Sequence, residues 1–502
     1  MTVRGVKLWL LGAATAGVAF PSPARAYETE VEASLTAQYY MLTSPWGDPQ
    51  LRRRRYTETL GLSVWNIQGE PDPRGPRLSF QSRLRLDADF GQSSAERALR
   101  DPRFIPGLQE APLDLMYAYL EGQRYLDGHL GFRLGRQYLF DTLGFWSFDG
   151  GLVTLSAPAN LLVEAYAGFE QRGGGLPYFG TRRFESQGVY RGDRYGYETN
   201  YYPSFLDESK LAPAAGVAVE ASGFGVLHSR LSYRKVINRD EVNISPFLDA
   251  GNGQWFLRGN RTSSERIGYS LRADSPRVGA LNGSVVYDFY NQIFSQYALS
   301  ADAYLDPRWT VGGRFERYTP TFDGDSIFNW FSHSPTTSTL GRVDARFSRA
   351  WQATLSGGVR WFETEGKPST YVSDPDPTKT GRLFDLSLDA GARYDFGRGS
   401  LGLRGGGETG ERGRRLGGDV TGRHRFGSRY DTLCVVSLWD WSDALRPDRD
   451  ATSFAYVLGG GITPGPSFFA RSRLGFEWEH DMNRVVGQRF RALVTLDLTV
   501  LK

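Results

Sequence analysis

Cysteine and long apolar runs are what this 502-residue sequence most clearly lacks. Its one cysteine, Cys434, excludes an internal disulfide and is interpreted as a small apolar residue of a strand. After Tyr27 no stretch of about 18 consecutive apolar residues occurs, which excludes a helical integral membrane protein. The mean hydropathy of −0.41 agrees with this exclusion. The mature chain is therefore either soluble or a β-barrel.

Lysine and histidine are also scarce, and the net charge is small. Arginine carries nearly all of the positive charge, and 59 basic against 56 acidic residues leave a formal charge of +3, which gives no argument for a nucleic-acid partner. The five histidines are scattered without metal-ligand spacing, so the sequence predicts no metal, no cofactor and no catalytic site. His333, in a predicted outer loop, is the one candidate for a hydrolase.

The N-terminus has the order of an export signal. Arg4 and Lys7 precede an apolar run over residues 8–20, and the small-residue triplet Ala24-Arg25-Ala26 follows. This order predicts a secretory signal peptide over residues 1–26, with an apolar run too short to span a bilayer. Residues 27–502 contain no linker, and their residue pattern changes little along the chain, so they are predicted to form one domain.

A strict alternation of apolar and polar residues recurs through the mature chain, most clearly over residues 31–41, 78–90, 384–396, 468–479 and 490–500. A period of two indicates β-strands with one apolar and one polar face. Strands of this length match the roughly 9 to 11 residues that cross a bilayer at a tilt. The 60 glycines and the abundant tyrosine, phenylalanine and tryptophan suit many turns and two interfacial aromatic belts.

Short and long connections alternate between these segments. Tight links are predicted near residues 126–128, 157–160, 222–224, 306–308, 348–350, 397–399, 427–429 and 463–466, and longer polar loops near 43–54, 91–111, 138–150, 171–183, 238–253, 320–336 and 364–380. Short periplasmic turns with long extracellular loops are typical of outer-membrane barrels. The predicted fold is all-β, a single large transmembrane antiparallel up-and-down β-barrel of about 18–24 strands, closed because lipid tolerates no free sheet edge.

If the apolar face meets lipid, the polar face lines the lumen. The predicted channel-lining residues are Arg83, Arg85, Asp87, Asp89, Arg230, Arg234, Arg342, Asp344, Arg346, Asp385, Asp389, Arg393, Arg423, Arg425, Arg471 and Arg473. They could select a solute as rings of charge at a constriction, or pair across neighbouring strands and stabilise the wall. The modest excess of arginine favours anionic or hydroxyl-rich solutes.

One segment resembles a known family. Gly135, Arg136 and Gln137 end a predicted strand, and Phe148, Asp149 and Gly150 resume after a predicted loop. This pattern resembles the strand–loop–strand motif of alginate-export-type and related outer-membrane porins. The resemblance implies an anionic polysaccharide led through an arginine-rich lumen. The last strand reaches the C-terminus, as in bacterial outer-membrane proteins generally, although the chain stops at Leu501-Lys502 without their terminal aromatic residue.

The sequence therefore predicts a channel in the cell outer membrane, either a diffusion porin or a polysaccharide-export conduit. Two alternatives stay open: a structural or adhesin-type barrel that anchors a surface complex, and an outer-membrane hydrolase. A transporter with a plug domain is disfavoured because the alternation begins by Val31. The expected partners are outer-membrane lipid and lipopolysaccharide, the barrel-assembly machinery, and an anionic or hydroxyl-rich solute or polysaccharide.

Overall fold

The computed structural model describes residues 27–69, 75–89, 113–171, 212–222, 225–238, 242–243, 256–257, 261–320, 335–363, 382–411, 413–443, 448, 450–464 and 471–501. Within these ranges the chain is almost entirely β-strand, with one short 3-10 helix at Pro158–Asn160. No helix of the described residues is both long and apolar enough to cross a membrane. The predicted signal peptide lies outside the described residues.

The described residues form 24 strands. In chain order they are β1 Glu28–Thr43, β2 Pro49–Trp65, β3 Arg77–Asp89, β4 Leu113–Tyr125, β5 Leu130–Asp141, β6 Gly144–Ala157, β7 Leu161–Glu170, β8 Ala212–Ala221, β9 Leu227–Asn238, β10 Val242–Asn243, β11 Phe256–Leu257, β12 Arg261–Ser275, β13 Gly279–Asp288, β14 Ile293–Asp306, β15 Trp309–Tyr318, β16 Thr336–Arg346, β17 Trp351–Glu363, β18 Arg382–Phe396, β19 Gly399–Gly410, β20 Gly413–Phe426, β21 Tyr430–Asp443, β22 Ala451–Ile462, β23 Arg471–Asn483 and β24 Gly487–Leu501.

Twenty-two of these strands form one closed antiparallel sheet. Consecutive strands pair in chain order, except that β9 pairs with β12 and the short hairpin of β10 and β11 stands apart. β1 pairs with both β2 and β24, which closes the sheet into a barrel. Closure leaves no edge strand in this 22-stranded sheet. The prediction of an all-β up-and-down barrel is confirmed, with a strand number inside the predicted range.

The connections lie at two ends of the barrel. The lower end, as we name it, holds the links β2–β3, β4–β5, β6–β7, β8–β9, β12–β13, β14–β15, β16–β17, β18–β19, β20–β21 and β22–β23 and both ends of the barrel sheet; the upper end holds the others. The loop predicted over residues 138–150 is wrong, because β5 and β6 extend to Asp141 and Gly144 and only Thr142 and Leu143 join them. The loop predicted over residues 43–54 likewise shrinks to residues 44–48.

The barrel has one apolar and one polar face, because strand pairing keeps like side chains opposite each other. Leu355 of β17, for example, opposes Val343 of β16 and Ala390 of β18. On this apolar face large side chains are strongly exposed; Leu388 and Leu403 are each 60% exposed. An apolar band of this kind requires a non-aqueous surrounding.

Candidate channel interior

The polar face carries hydrophilic residues on strand after strand, and an apolar cluster interrupts them only over β5–β9 among the described residues. Arg342 of β16 opposes Ser356 of β17, which in turn opposes Asp389 of β18. Because side chains alternate along every strand, the register alone places the predicted polar residues of successive strands on the same face.

Most of the predicted arginines on this face form ion pairs. The pairs and their N···O distances are Arg83 with Glu32 (2.6 Å), Arg85 with Asp114 (2.9 Å), Arg230 with Glu164 (2.7 Å) and Glu220 (3.2 Å), Arg342 with Asp302 and Asp344 (2.9 Å each), Arg393 with Asp395 (2.8 Å), and Arg473 with Asp431 (2.9 Å). Asp389 accepts from Arg404 at 3.5 Å. Since most of these side chains are partly exposed, each pair contributes at most about 1 kcal/mol to stability.

Glycines allow several of these pairs to reach over an intervening strand. Arg342 of β16 contacts Asp302 of β14 across Gly312 of β15, where an added Cβ would lie 2.0 Å from the Asp302 carboxylate. Arg473 contacts Asp431 across Gly461 in the same way. The Arg83 and Glu32 pair likewise spans β2 at its Gly61. Part of the glycine content therefore serves the polar face rather than the turns.

The remaining predicted lining residues have different surroundings. Arg346, Arg423 and Arg425 are exposed, and no side-chain partner is present for them in the described ranges. Asp385 is only 6% exposed, and its Oδ1 lacks a hydrogen-bond donor among the described residues. The remaining positions lie on β3 and β23, but their side chains are outside the described structure: Asp87, Asp89 and Arg471.

The acidic partners were the main omission of the sequence prediction. Glu32, Asp114, Glu164, Asp302 and Asp431 all accept from predicted arginines. The alternation along each strand indicates that these residues lie on the polar face. Which of them meets an arginine depends on the register between paired strands. Register is a property of the sheet and not of the single strand.

The tip of the β5–β6 hairpin lies against the polar face of strands that are not its neighbours. Arg234 of β9 donates from Nη2 to the carbonyl oxygen of Leu143 at 3.2 Å. Gly268 of β12 leaves room for Leu143 and Thr142, because a Cβ there would come within 2.8 Å of the leucine side chain. β9 and β12 lie three and four strands beyond β6, so the tip crosses the polar side of β7 and β8.

An aromatic cluster supports this tip. The ring of Trp146 stacks on Phe148 with centroids 4.5 Å apart, and Tyr166 packs against both rings. The guanidinium of Arg234 lies 5.1 Å from the Trp146 ring centroid, and the indole N–H donates to Glu170. These contacts fix the hairpin tip and the buried Arg234 in one arrangement.

The motif that resembles alginate-export-type porins is one paired segment and not two ends of a loop. Gly135 opposes Gly150, Arg136 opposes Asp149, and Gln137 opposes Phe148. Arg136 is 7% exposed and forms two parallel hydrogen bonds with Asp149, at 2.7 and 2.9 Å, while its third nitrogen donates to Leu115 of β4.

The two sides of this motif face different surroundings. Arg136 and Asp149 share the apolar face with exposed Leu134 and Val153, whereas buried Gln137 lies on the polar face and donates to the Gly150 carbonyl oxygen. The motif therefore joins β4, β5 and β6, and its arginine does not contribute charge to the polar face.

Aromatic rings border the apolar face at both ends. At the upper end a chain of ring contacts runs through Tyr233, Phe289, Tyr287, Phe294, Tyr297 and Phe315. At the lower end another runs through Trp351, Tyr394, Phe396, His424 and Phe426. Aromatic rings at both borders of an apolar band are typical of the two interfaces of a bilayer. The protein is a β-barrel of the Gram-negative outer membrane.

Comparison with known proteins adds architectural similarity only. No family model and no curated protein matches the chain. Among solved structures, the barrel is similar to the siderophore receptor PirA from Pseudomonas aeruginosa, with a TM-score of 0.49 and 8% identity over 93% of this chain and 80% of that one. It is also similar to OccAB2 from Acinetobacter baumannii, with a TM-score of 0.43, 7% identity and coverage of 94% and 98%. For the outer membrane protein opdK from Pseudomonas aeruginosa, the TM-score is 0.40 and the identity is 8%, over 94% of this chain and 99% of that one. Similarity at this level assigns neither a family nor a solute to this chain.

Proposed function

We propose that this outer-membrane barrel is a channel whose polar face lines an aqueous passage. The observation that supports it is the set of ion-paired arginines and carboxylates that recurs on the polar face of the closed sheet. Charged groups in a bilayer-spanning barrel are stable only where water or partner charges reach them. Exposed leucine and valine side chains cover most of the apolar face, so the polar face turns inward.

The β5–β6 hairpin supports the inward direction independently. Its tip reaches Arg234 and Gly268 on strands three and four positions away, along the polar face. A tip can span several strands most directly through the concave side of a barrel. The hairpin therefore narrows the passage at the upper end, where the aromatic cluster of Trp146, Phe148 and Tyr166 also lies.

The nearly balanced charge of the wall favours a weakly selective passage for hydroxyl-rich or anionic solutes. Arg342 and Arg230 each contact two carboxylates, which reduces their attraction for a passing anion. The polysaccharide-export form of the channel draws on the motif resemblance, but Arg136 and Asp149 engage each other on the apolar face. A diffusion channel is therefore the form that the contacts favour. We orient the short lower connections toward the periplasm, following the general pattern of such barrels.

Conductance in a planar lipid bilayer tests the proposal. The purified protein is expected to give open-channel currents, and Arg342→Glu/Arg346→Glu is expected to move the reversal potential in a salt gradient toward cation selectivity, because it replaces two cations of the wall. The matched control, Arg342→Lys/Arg346→Lys, keeps both charges and should leave the reversal potential unchanged. Absence of current from the correctly folded barrel, also after removal of the upper loops, would refute the channel.

A further inference from the structure

Five consecutive lower turns each carry one arginine. They are Arg277 between β12 and β13, Arg308 between β14 and β15, Arg349 between β16 and β17, Arg398 between β18 and β19, and Arg429 between β20 and β21. All five side chains are exposed. Within the described part of the chain none of them has an ion pair or side-chain hydrogen bond. We name this set the arginine arc.

The charge of the lower rim is strongly one-sided. The five turns of the arginine arc contain no acidic residue. Among the described residues of the other five lower connections, Asp127 is the only charged one. The described turns on one half of the rim are therefore cationic, and those on the other half carry no positive charge.

A recess of about 740 Å³ at one end of the arc holds three uncompensated cations. Arg277, Arg308 and Arg346 line it, together with Asp306 and Asp344. Both carboxylates are already engaged: Asp306 accepts the backbone N–H groups of Arg308 and Trp309, and Asp344 accepts from Arg342 and Thr354. The three guanidinium groups have no side-chain partner among the described residues, and a guanidinium binds a carboxylate in a bidentate manner.

We propose that the arginine arc is a docking surface for a periplasmic protein with an acidic face. This inference rests on the orientation given under the proposed function. The turns lie beyond the polar face, so their charges act at the rim and not inside the passage. Neighbouring turns are two strands apart, roughly 10 Å, so the arc extends over roughly 40 Å. That length fits one face of a folded domain, whose diameter is typically about 30 to 40 Å.

The one-sided charge favours a protein over lipid. Phospholipid headgroups surround a barrel on every side, so cations that serve them would be distributed around the whole rim. A protein that docks on half of the rim leaves the other half and the passage open. The recess with Arg277, Arg308 and Arg346 would receive an acidic side chain of that partner. Complementary charge of this kind acts chiefly on association and decreases with added salt.

Binding of a labelled glutamate-rich peptide to the full barrel in nanodiscs of zwitterionic lipid tests the charge requirement. Replacement of the five arginines of the arc by glutamine is expected to weaken binding by about tenfold or more at low salt, since long-range attraction scales with the charge removed. A control at the upper end, Arg414→Gln/Arg415→Gln/Arg484→Gln, removes three cations away from the arc and should change the affinity by less than about twofold. Equal affinity of the arc variant and the unmodified protein would overturn the proposal.

Photo-cross-linking in intact cells tests the kind of partner. A photoreactive residue at Ser348 or Ser428, beside Arg349 and Arg429, is expected to give a protein adduct that disappears in the arc variant. The same probe at Ser222, on the opposite half of the rim, should not give that adduct. Adducts with phospholipid alone, or equal protein adducts at Ser222, would contradict the proposal.

Two further measurements keep the outcome unambiguous. Heat-modifiable gel mobility reports whether the arc variant folds, and if it does not, the smaller Arg277→Gln/Arg308→Gln variant is used in the same binding assay. The arc variant is expected to retain open-channel currents. If the unmodified protein conducts ions but does not bind the peptide, the docking surface alone is refuted. If the unmodified protein gives no current, the channel is refuted.

Discussion

At the residue scale, glycine has two separate uses in this barrel. At Gly397 and Gly427 it adopts positive φ in lower turns. At Gly312 and Gly461 it lies within a strand and leaves space for an arginine and a carboxylate from the strands on either side. Composition predicted the first use, because turns need glycine. The second depends on which residues lie two strands away, and only the paired sheet shows that.

Replacement of Gly312 by valine is expected to break the Arg342 and Asp302 pair. The new Cβ would occupy the position of the Asp302 carboxylate, so we expect a loss of about 1 to 3 kcal/mol in the free energy of unfolding. The measurement is urea-induced unfolding followed by tryptophan fluorescence. Gly313→Val is the control, because its nearest neighbour would be a carbonyl oxygen at 3.7 Å. Adding Asp302→Ala to Gly312→Val should restore part of the loss; no difference between the two valine variants would contradict this account.

At the element scale, the β5–β6 hairpin differs most from its prediction. Residues 138–150 are predicted as a loop because aromatic residues occur on both faces of this segment. The alternation of apolar and polar residues that indicates a strand is therefore absent there. In the barrel, Trp146 and Phe148 belong to the buried cluster on the polar side, while Phe140 and Phe145 are exposed on the other side. The hairpin is thus apolar on both faces for two different reasons: contact with lipid and contact with its own aromatic cluster.

The Arg136 and Asp149 pair is expected to stabilise this hairpin. Asp149→Leu removes the carboxylate that forms two hydrogen bonds with the buried guanidinium of Arg136, and we expect the free energy of unfolding to decrease by about 2 to 4 kcal/mol. The double variant Arg136→Met/Asp149→Leu removes both charges from the apolar face and should recover more than half of that loss, because no charge remains to be solvated. Urea-induced unfolding in the same lipid measures both. A double variant as unstable as the single one would show that the pair contributes through shape and not through charge.

The aromatic cluster of the same hairpin is expected to restrict the passage. Trp146→Ala removes the ring that packs on Phe148 and under Arg234, so the tip should loosen and single-channel conductance should rise. Phe145→Ala is the matched control, since this neighbouring ring is 66% exposed on the apolar face. Equal conductance of the two variants would mean that the hairpin does not narrow the passage.

At the scale of the whole molecule, closure joins the first and last strands of the barrel. β1 and β24 pair along nearly their whole length, and the Ser34 hydroxyl donates to Asp497 at 2.8 Å. Residues more than 460 positions apart thus become neighbours. The C-terminal strand lacks a final aromatic residue, yet it pairs with both β23 and β1 as a closing strand must.

A disulfide across this seam tests closure. In a Cys434→Ser background, Ser34→Cys/Asp497→Cys is expected to oxidise readily and to change the gel mobility of the denatured chain, because directly opposed strand residues have close Cβ atoms. Thr36→Cys/Asp497→Cys is the offset control, since Thr36 opposes Thr495. Equal oxidation of both variants, or of neither, would contradict the register at the seam.

The sequence alone determined the class of the fold, the two faces and the range of the strand number, because alternation along one strand is a local property. It also identified Arg83, Arg342 and Arg473 as polar-face residues of their strands. Only the tertiary structure decided that there are 22 barrel strands, which carboxylate each arginine meets, that Arg136 opposes Asp149, and that five turn arginines form one arc. Those features depend on register and on closure, which arise between strands that are distant in the chain, and no local pattern encodes them.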